Sequence, residues 1–355
     1  MRQSRTCALL AGVSTLLVLP AALAAERVQV VTSFSILADM VENVGGEHVA
    51  VTALVGPDSD AHVYSPRPDD ARALSDADLV VFNGLQFEGW MARLIEASEA
   101  DGPVVVATDG IESRLAAAEN ADHDDHDDHD DHDDHDRRGA NDHADHDHGP
   151  IDPHAWQDLG MGPLYVNNIL AGLIEADPDH SDAYRANAER YLAQIAALDD
   201  AISAQLAEIP DGTSVITGHD SFGHFARAYH LEFLSPQGLS TDAEPSAANM
   251  ARLIDVIRAS NVQALFHENM TSPAMIDQLA QETGLPVAGT LYADALASDG
   301  EASSWLGMMR HNARTLHDAL ADAEHAGDAA GGKASGHADH ARDDHGHDDA
   351  HDHAH

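Results

Sequence analysis

Residues 181–209 read SDAYRANAERYLAQIAALDDAISAQLAEI and carry one uninterrupted helical pattern. Tyr184, Ala188, Tyr191, Leu192, Ile195, Leu198, Ile202 and Leu206 recur at the three- and four-residue spacing that lines one face of an α-helix. Ser181 stands where an N-cap is expected, and Pro210 and Gly212 stop the pattern. About 28 residues at about 1.5 Å each give a rod of about 42 Å, longer than one small lobe. The segment is therefore predicted to be a strut, and the sequence on either side of it is expected to form two separate bodies.

Each side repeats the same grammar. Short apolar or β-branched runs bounded by turn residues predict strands at Val28–Phe34, His48–Val55, Asp78–Asn83 and Val104–Ala107. The second half offers Ser214–Thr217, Leu231–Leu234, Val262–His267 and Val287–Leu291. Helical patterns lie between them. Met250, Leu253, Ile254 and Ile257 share one apolar face, and Ser272-Pro273 suits a helix start. Four strand–helix units, twice over, predict an α/β fold of two parallel-sheet (β/α)4 lobes joined by one long helix.

The two ends and one internal stretch read differently. Residues 1–24 have Arg2 and Arg5 ahead of the apolar run CALLAGVSTLLVL and end in Ala22-Leu23-Ala24, the pattern of a cleaved secretory signal. Cys7, the single cysteine, lies inside it, so the exported chain is expected to hold no thiolate. Residues 122–149 repeat His-Asp-Asp without apolar content, and 327–355 are likewise rich in His, Asp, Gly and Ala. Neither can bury a core, so both are expected to be disordered. The domain plan is thus a leader (1–24), a first lobe (25–180), the helix (181–209), a second lobe (210–326) and a tail (327–355). The formal charge of −44 argues against nucleic acid as a partner.

Without cysteine, a metal site must be built from His, Asp or Glu. In parallel α/β lobes, ligands sit beyond the carboxyl ends of strands. Four candidates stand at such points: His62 in GPDSDAHVYSPRPDD, His154 in IDPHAWQD, His219 in TGHDSFGHF and Asp294 in VAGTLYADAL. Two belong to each predicted lobe, which would place a shared ion in the cleft between them. Three imidazoles and one carboxylate suit tetrahedral zinc, whereas manganese prefers more oxygen ligands. Glu268, in LFHEN, either orients a ligand imidazole or makes a structural hydrogen bond. His224 is expected to point away from the site, and His230, His267, His311 and His317 to be structural or surface residues. Trp90, Trp156 and Trp305 are expected in packing. In the acidic repeat, His123, His126, His129, His132, His135, His143, His146 and His148 offer weak, adaptable auxiliary metal sites.

These stretches resemble the zinc/manganese solute-binding family of ABC transporters. The resemblance is carried in order by VVTSFSILADMVENVGGEHVAVTALVGPDSDAHVYSPRPDDARAL, VVFNGLQFEGWM, DPHAWQD, ITGHDSFGHFARAYHL, QGLSTDAEPSAANMARLID, LFHENMTSP and LYADAL. It implies one metal in the cleft held by His62, His154, His219 and Asp294, and docking onto an inner-membrane ABC permease. Manganese-preferring relatives often place Glu where this chain has His219, and a His-rich loop resembles zinc-specific members; some of those lack the acidic ligand that Asp294 represents. The expected protein is a monomeric periplasmic carrier of Zn(II), with Mn(II) as the alternative cargo and a periplasmic metallochaperone as a further partner. A metallohydrolase is disfavoured because four protein ligands close a zinc site. A periplasmic metal buffer would need no structured cleft.

Overall fold

The computed structural model describes residues 27–115, 151–243, 246–259 and 262–321. The predicted leader, the histidine-rich stretch with its eight auxiliary histidines and the tail lie outside the described residues.

The first sheet contains β1 (Val28–Phe34), β2 (Val49–Val55), β3 (Leu79–Phe82) and β4 (Val104–Val106), all parallel, in the order β2-β1-β3-β4. The second contains β5 (Ser214–Ile216), β6 (Glu232–Leu234), β7 (Val262–Glu268) and β8 (Val287–Leu291) in the equivalent order β6-β5-β7-β8. Parallel sheets need helices on their faces, and their central strands read as near-continuous apolar runs. In β1 only Gln29 is exposed, and all three residues of β5 are buried. The order in each sheet makes two α/β lobes of the same design.

Helices α1 (Ser35–Gly45), α2 (Pro68–Ser75), α3 (Met91–Ser98) and α4 (Gly162–Ala176) belong to the first half. The long helix α5 runs Ser181–Leu206, which at about 1.5 Å per residue is about 39 Å. Its buried residues are Tyr184, Ala188, Tyr191, Ile195, Leu198, Ile202 and Leu206, the expected stripe with Leu192 at its half-buried margin. Ser181 is not the cap. A 3-10 turn at Pro178–His180 leads into the helix, so His180 stands at the cap position, without a side-chain capping bond, and Ser181 already lies in the first turn. The second half adds α6 (Gly223–Tyr229), α7 (Ala247–Ala259), α8 (Ala274–Thr283) and α9 (Trp305–Leu320).

Helix α5 packs on α1, α4 and α9. Where it crosses, a Cβ on Gly162 would stand 3.0 Å from both Ile195 and Trp305, so the glycine sets the spacing of three elements. One hydrophobic cluster runs through both halves, from Val28 in β1 to Leu320 in α9. A smaller one, including Ile216, Leu253 and Leu265, lies between the second sheet and α7 and α8. Among the described residues no helix is long and apolar enough to cross a membrane.

Candidate metal centre

His62 follows β2 in a loop fixed at two points. The Trp90 indole N–H donates to the Ala61 carbonyl at 2.8 Å, and the Asp60 carboxylate accepts the His62 N–H at 2.9 Å. His154 sits at the head of a 3-10 turn, with its own N–H and its Nδ1 both on Asp152 Oδ1 at 2.9 and 2.7 Å. His219 follows β5. Its Nδ1 lies 2.7 Å from Glu268 Oε2 at the end of β7, while Glu268 Oε1 accepts the N–H groups of Gly218 and His219. A side chain on Gly218 would begin 3.1 Å from that carboxylate, so glycine permits its approach. Asp294 follows β8, and its loop is held by Trp156 and Gln157, which both donate to the Ala293 carbonyl, at 2.9 and 2.7 Å.

All four predicted positions meet. His62, His154, His219 and Asp294 each offer one donor atom, and these lie within 4.8 Å of one another. His62 is 7% exposed and the other three are fully buried. The Nε2 atoms of His62 and His154 are 3.4 Å apart. Asp294 Oδ2 stands 3.3 Å from His62 Nε2 and 3.1 Å from His219 Nε2, and Oδ1 stands 3.7 Å from His154 Nε2. A tetrahedron with bonds of about 2.0–2.1 Å has edges of about 3.3–3.4 Å, so these separations suit donors around one small ion. His219 Nε2 and both Asp294 oxygens are buried without a hydrogen bond. Buried carboxylates need compensation, and the groups that face this one are three histidine nitrogens at 3.1 to 3.7 Å.

The electrostatics agree. Burial alone would raise the Asp294 pKa, but the facing His219 and His154 hold it well below the ordinary carboxylate value. Burial would lower that of His219, but Glu268 and Asp294 drive it well above the usual imidazole range. Both shifts have one cause: the buried carboxylates of Asp294 and Glu268 favour positive charge beside them. Phe87 closes one side, edge-on to His62 at 4.6 Å between ring centres and to Trp156 at 4.8 Å.

Glu268 stands on the Nδ1 side of His219. Asp152 takes the same place for His154 and was not singled out from sequence, although Asp60-Ala61-His62 and Asp152-Pro153-His154 share an Asp-x-His pattern that signals it. His230 caps α6, His267 pairs with Asp277, His311 binds the Thr290 carbonyl and His317 pairs with Glu208. Trp90, Trp156 and Trp305 are buried in packing. His224 lies outside the group of four converging donors; it is fully buried and touches the segment that bears His154.

Two four-stranded parallel lobes with a buried His3Asp cluster between them define the architecture of a metal-receiving binding protein. The family model for the periplasmic zinc-uptake complex component A matches residues 30–319, and the chain belongs to that family. It is 30% identical over 298 residues to the manganese-binding lipoprotein MntA of Halalkalibacterium halodurans, covering 83% of this chain and 89% of that protein. It is 27% identical over 294 residues to the iron-binding protein YfeA of Yersinia pestis, covering 82% and 86%. The periplasmic zinc-binding protein TroA of Treponema pallidum superposes with a TM-score of 0.70 at 26% identity, over 83% of this chain and 99% of that one.

Proposed function

We propose that the chain captures Zn(II) between its lobes, through His62, His154, His219 and Asp294, and delivers it from the periplasm to an inner-membrane ABC permease. One observation carries this reading: four buried donors from two lobes converge within 4.8 Å of one another, with both Asp294 oxygens and His219 Nε2 lacking a hydrogen bond. Three imidazoles favour zinc, both by ligand type and by the general affinity order of divalent ions. The manganese reading has its own support, because both Asp294 oxygens are free of hydrogen bonds and offer a hard ligand. Zinc remains the better match, since the three other donors are nitrogen. Four protein ligands leave no open position for a reactive water, which supports carriage over catalysis. A periplasmic metallochaperone fits as an upstream donor, and His123 to His148 as gatherers of metal. The permease, export and a single-chain state belong to the same proposal.

The test is zinc affinity by chelator competition on protein lacking residues 122–148 and 327–355. One tight site is expected. His62→Ala, His154→Ala and His219→Ala should each weaken it by more than about 100-fold, beyond the loss typical of outer partners. Unchanged affinity in all of them, and in Asp294→Ala, would remove the site.

A further inference from the structure

We infer that His224 and Gly223, at the start of α6, form a clamp from the second lobe that positions the His154 ligand by holding Asp152. The inference rests on the metal-site reading above and adds two residues that do not touch the ion.

His154 reaches the site on a short segment with little regular structure of its own, residues 151–158. Its direction is set by Asp152, whose Oδ1 takes both the His154 N–H and its ring Nδ1. A carboxylate on the far nitrogen of a ligand imidazole fixes tautomer and ring orientation, and such partners matter nearly as much as ligands. Asp152 must itself be held. On the first-lobe side, Asn83 Nδ2 donates to the Pro153 carbonyl at 2.9 Å, and Tyr165 in turn donates to Asn83 Oδ1 at 2.8 Å. On the other side stands α6.

His224 is fully buried. Its Nε2 lies 3.1 Å from the Asp152 carbonyl oxygen, which can only accept, so Nε2 carries the proton and donates. Its Nδ1 then accepts, and Arg227 stands 3.5 Å from it. The same Nε2 lies 3.9 Å from Asp152 Oδ2. Gly223 completes the contact: a Cβ there would stand 2.6 Å from Asp152 Oδ2, closer than real Cβ atoms come. The donor histidine thus binds the Asp152 backbone, and the glycine leaves room for the Asp152 carboxylate beside it. His219 and this clamp lie five residues apart on one segment. This one segment of the second lobe thus contributes the ligand His219 directly and braces a first-half ligand through Asp152.

The probes are zinc and cobalt(II), at one equivalent, on the full chain. His224→Phe keeps the ring and removes the donor; zinc affinity should fall about 10-fold, the scale of outer-partner losses. Gly223→Ala should act in the same direction. His224→Gln keeps an N–H donor and should recover most of the loss. The visible spectrum of cobalt(II) should change in His224→Phe in the sense seen in Asp152→Asn, and the two substitutions should be non-additive in a double-mutant cycle. A lower Tm with unchanged zinc affinity and cobalt spectrum would overturn the clamp, as would full additivity with Asp152→Asn. His154→Ala separates the two readings. If it loses zinc while His224→Phe does not, the clamp fails and the site stands; if it keeps zinc, the site fails and the clamp has no ligand to position.

Discussion

Glu268 Oε2 lies 2.7 Å from His219 Nδ1, and its other oxygen accepts two backbone N–H groups of the loop that carries His219. One carboxylate therefore fixes ring, tautomer and loop together, leaving Nε2 to face the site. Glu268→Gln keeps the shape but exchanges an acceptor for a donor. It should weaken zinc about 10–100-fold, the loss typical of such partners. Chelator competition reads the effect, and parent-like affinity would show that the pair serves only the fold.

Selectivity should follow the nitrogen count. Zinc should outcompete manganese in an equal mixture, and His219→Glu should narrow the gap, because a second carboxylate replaces an imidazole. Metal content after dialysis against both ions decides this. Preferential uptake of manganese by the parent would reverse the assignment of cargo.

Asp39 on α1 accepts the backbone N–H of Trp305, the first residue of α9, at 2.9 Å, and the Tyr191 hydroxyl on α5 approaches the same oxygen. Burial there pushes its pKa up from 3.8 to about 6, with the Trp305 contact acting against the rise. A raised carboxyl pKa means the folded state holds the proton more tightly than the unfolded chain. Stability from this group therefore increases as pH falls from about 6 towards 4, and the ionised form costs up to about 3 kcal/mol above pH 6. Asp39→Asn keeps an acceptor for Trp305 and has no charge. Metal-free Asp39→Asn should melt above the parent at pH 7.5, and the difference should shrink by pH 5. A constant difference across that range would exclude the titration of Asp39.

Ile195 on α5 is 2% exposed and packs where Gly162 lets Trp305 approach. Ile195→Ala should cost about 2–5 kcal/mol through lost burial and a residual cavity. Denaturant unfolding measures it. A loss below about 1 kcal/mol would show that the neighbours collapse into the gap and that the helix is not pinned there.

Residues 122–148 hold eight histidines spaced mostly by aspartate. Their composition predicts no core, so metal binding there is expected to carry the cost of ordering the chain, and each site should be weak and fade as pH falls through about 6 to 7 and imidazoles protonate. Deleting the stretch should remove weak zinc equivalents and leave the tight one. Calorimetry with identical stoichiometry in both proteins would reduce it to a spacer.

The local architecture was legible because it is written in local periodicity. The helical stripe from Tyr184 to Leu206 appears as read, and Val28–Phe34 and Val287–Leu291 have the expected ends. The start at His48 moved to Val49 because Gly46–His48 forms a 3-10 turn, whose short-range hydrogen bonds leave no mark on hydropathy. Residue type also carried weight: with Cys7 in the predicted leader, the described chain could offer only imidazole and carboxylate ligands, and His62, His154, His219 and Asp294 stood after strands where two such lobes present their loops. What only the tertiary structure decided is convergence and environment. His62 and Asp294 are 232 residues apart in the chain and 3.3 Å apart in space, a distance set by how the two halves close and not by either local sequence. The relay from Asp152 to His154, the contact of His224 with Asp152, and the raised pKa of Asp39 likewise depend on which distant groups share a dry space. A side chain's chemistry is fixed by its residue type, but its partners and its charge are fixed by burial, and burial belongs to the whole fold.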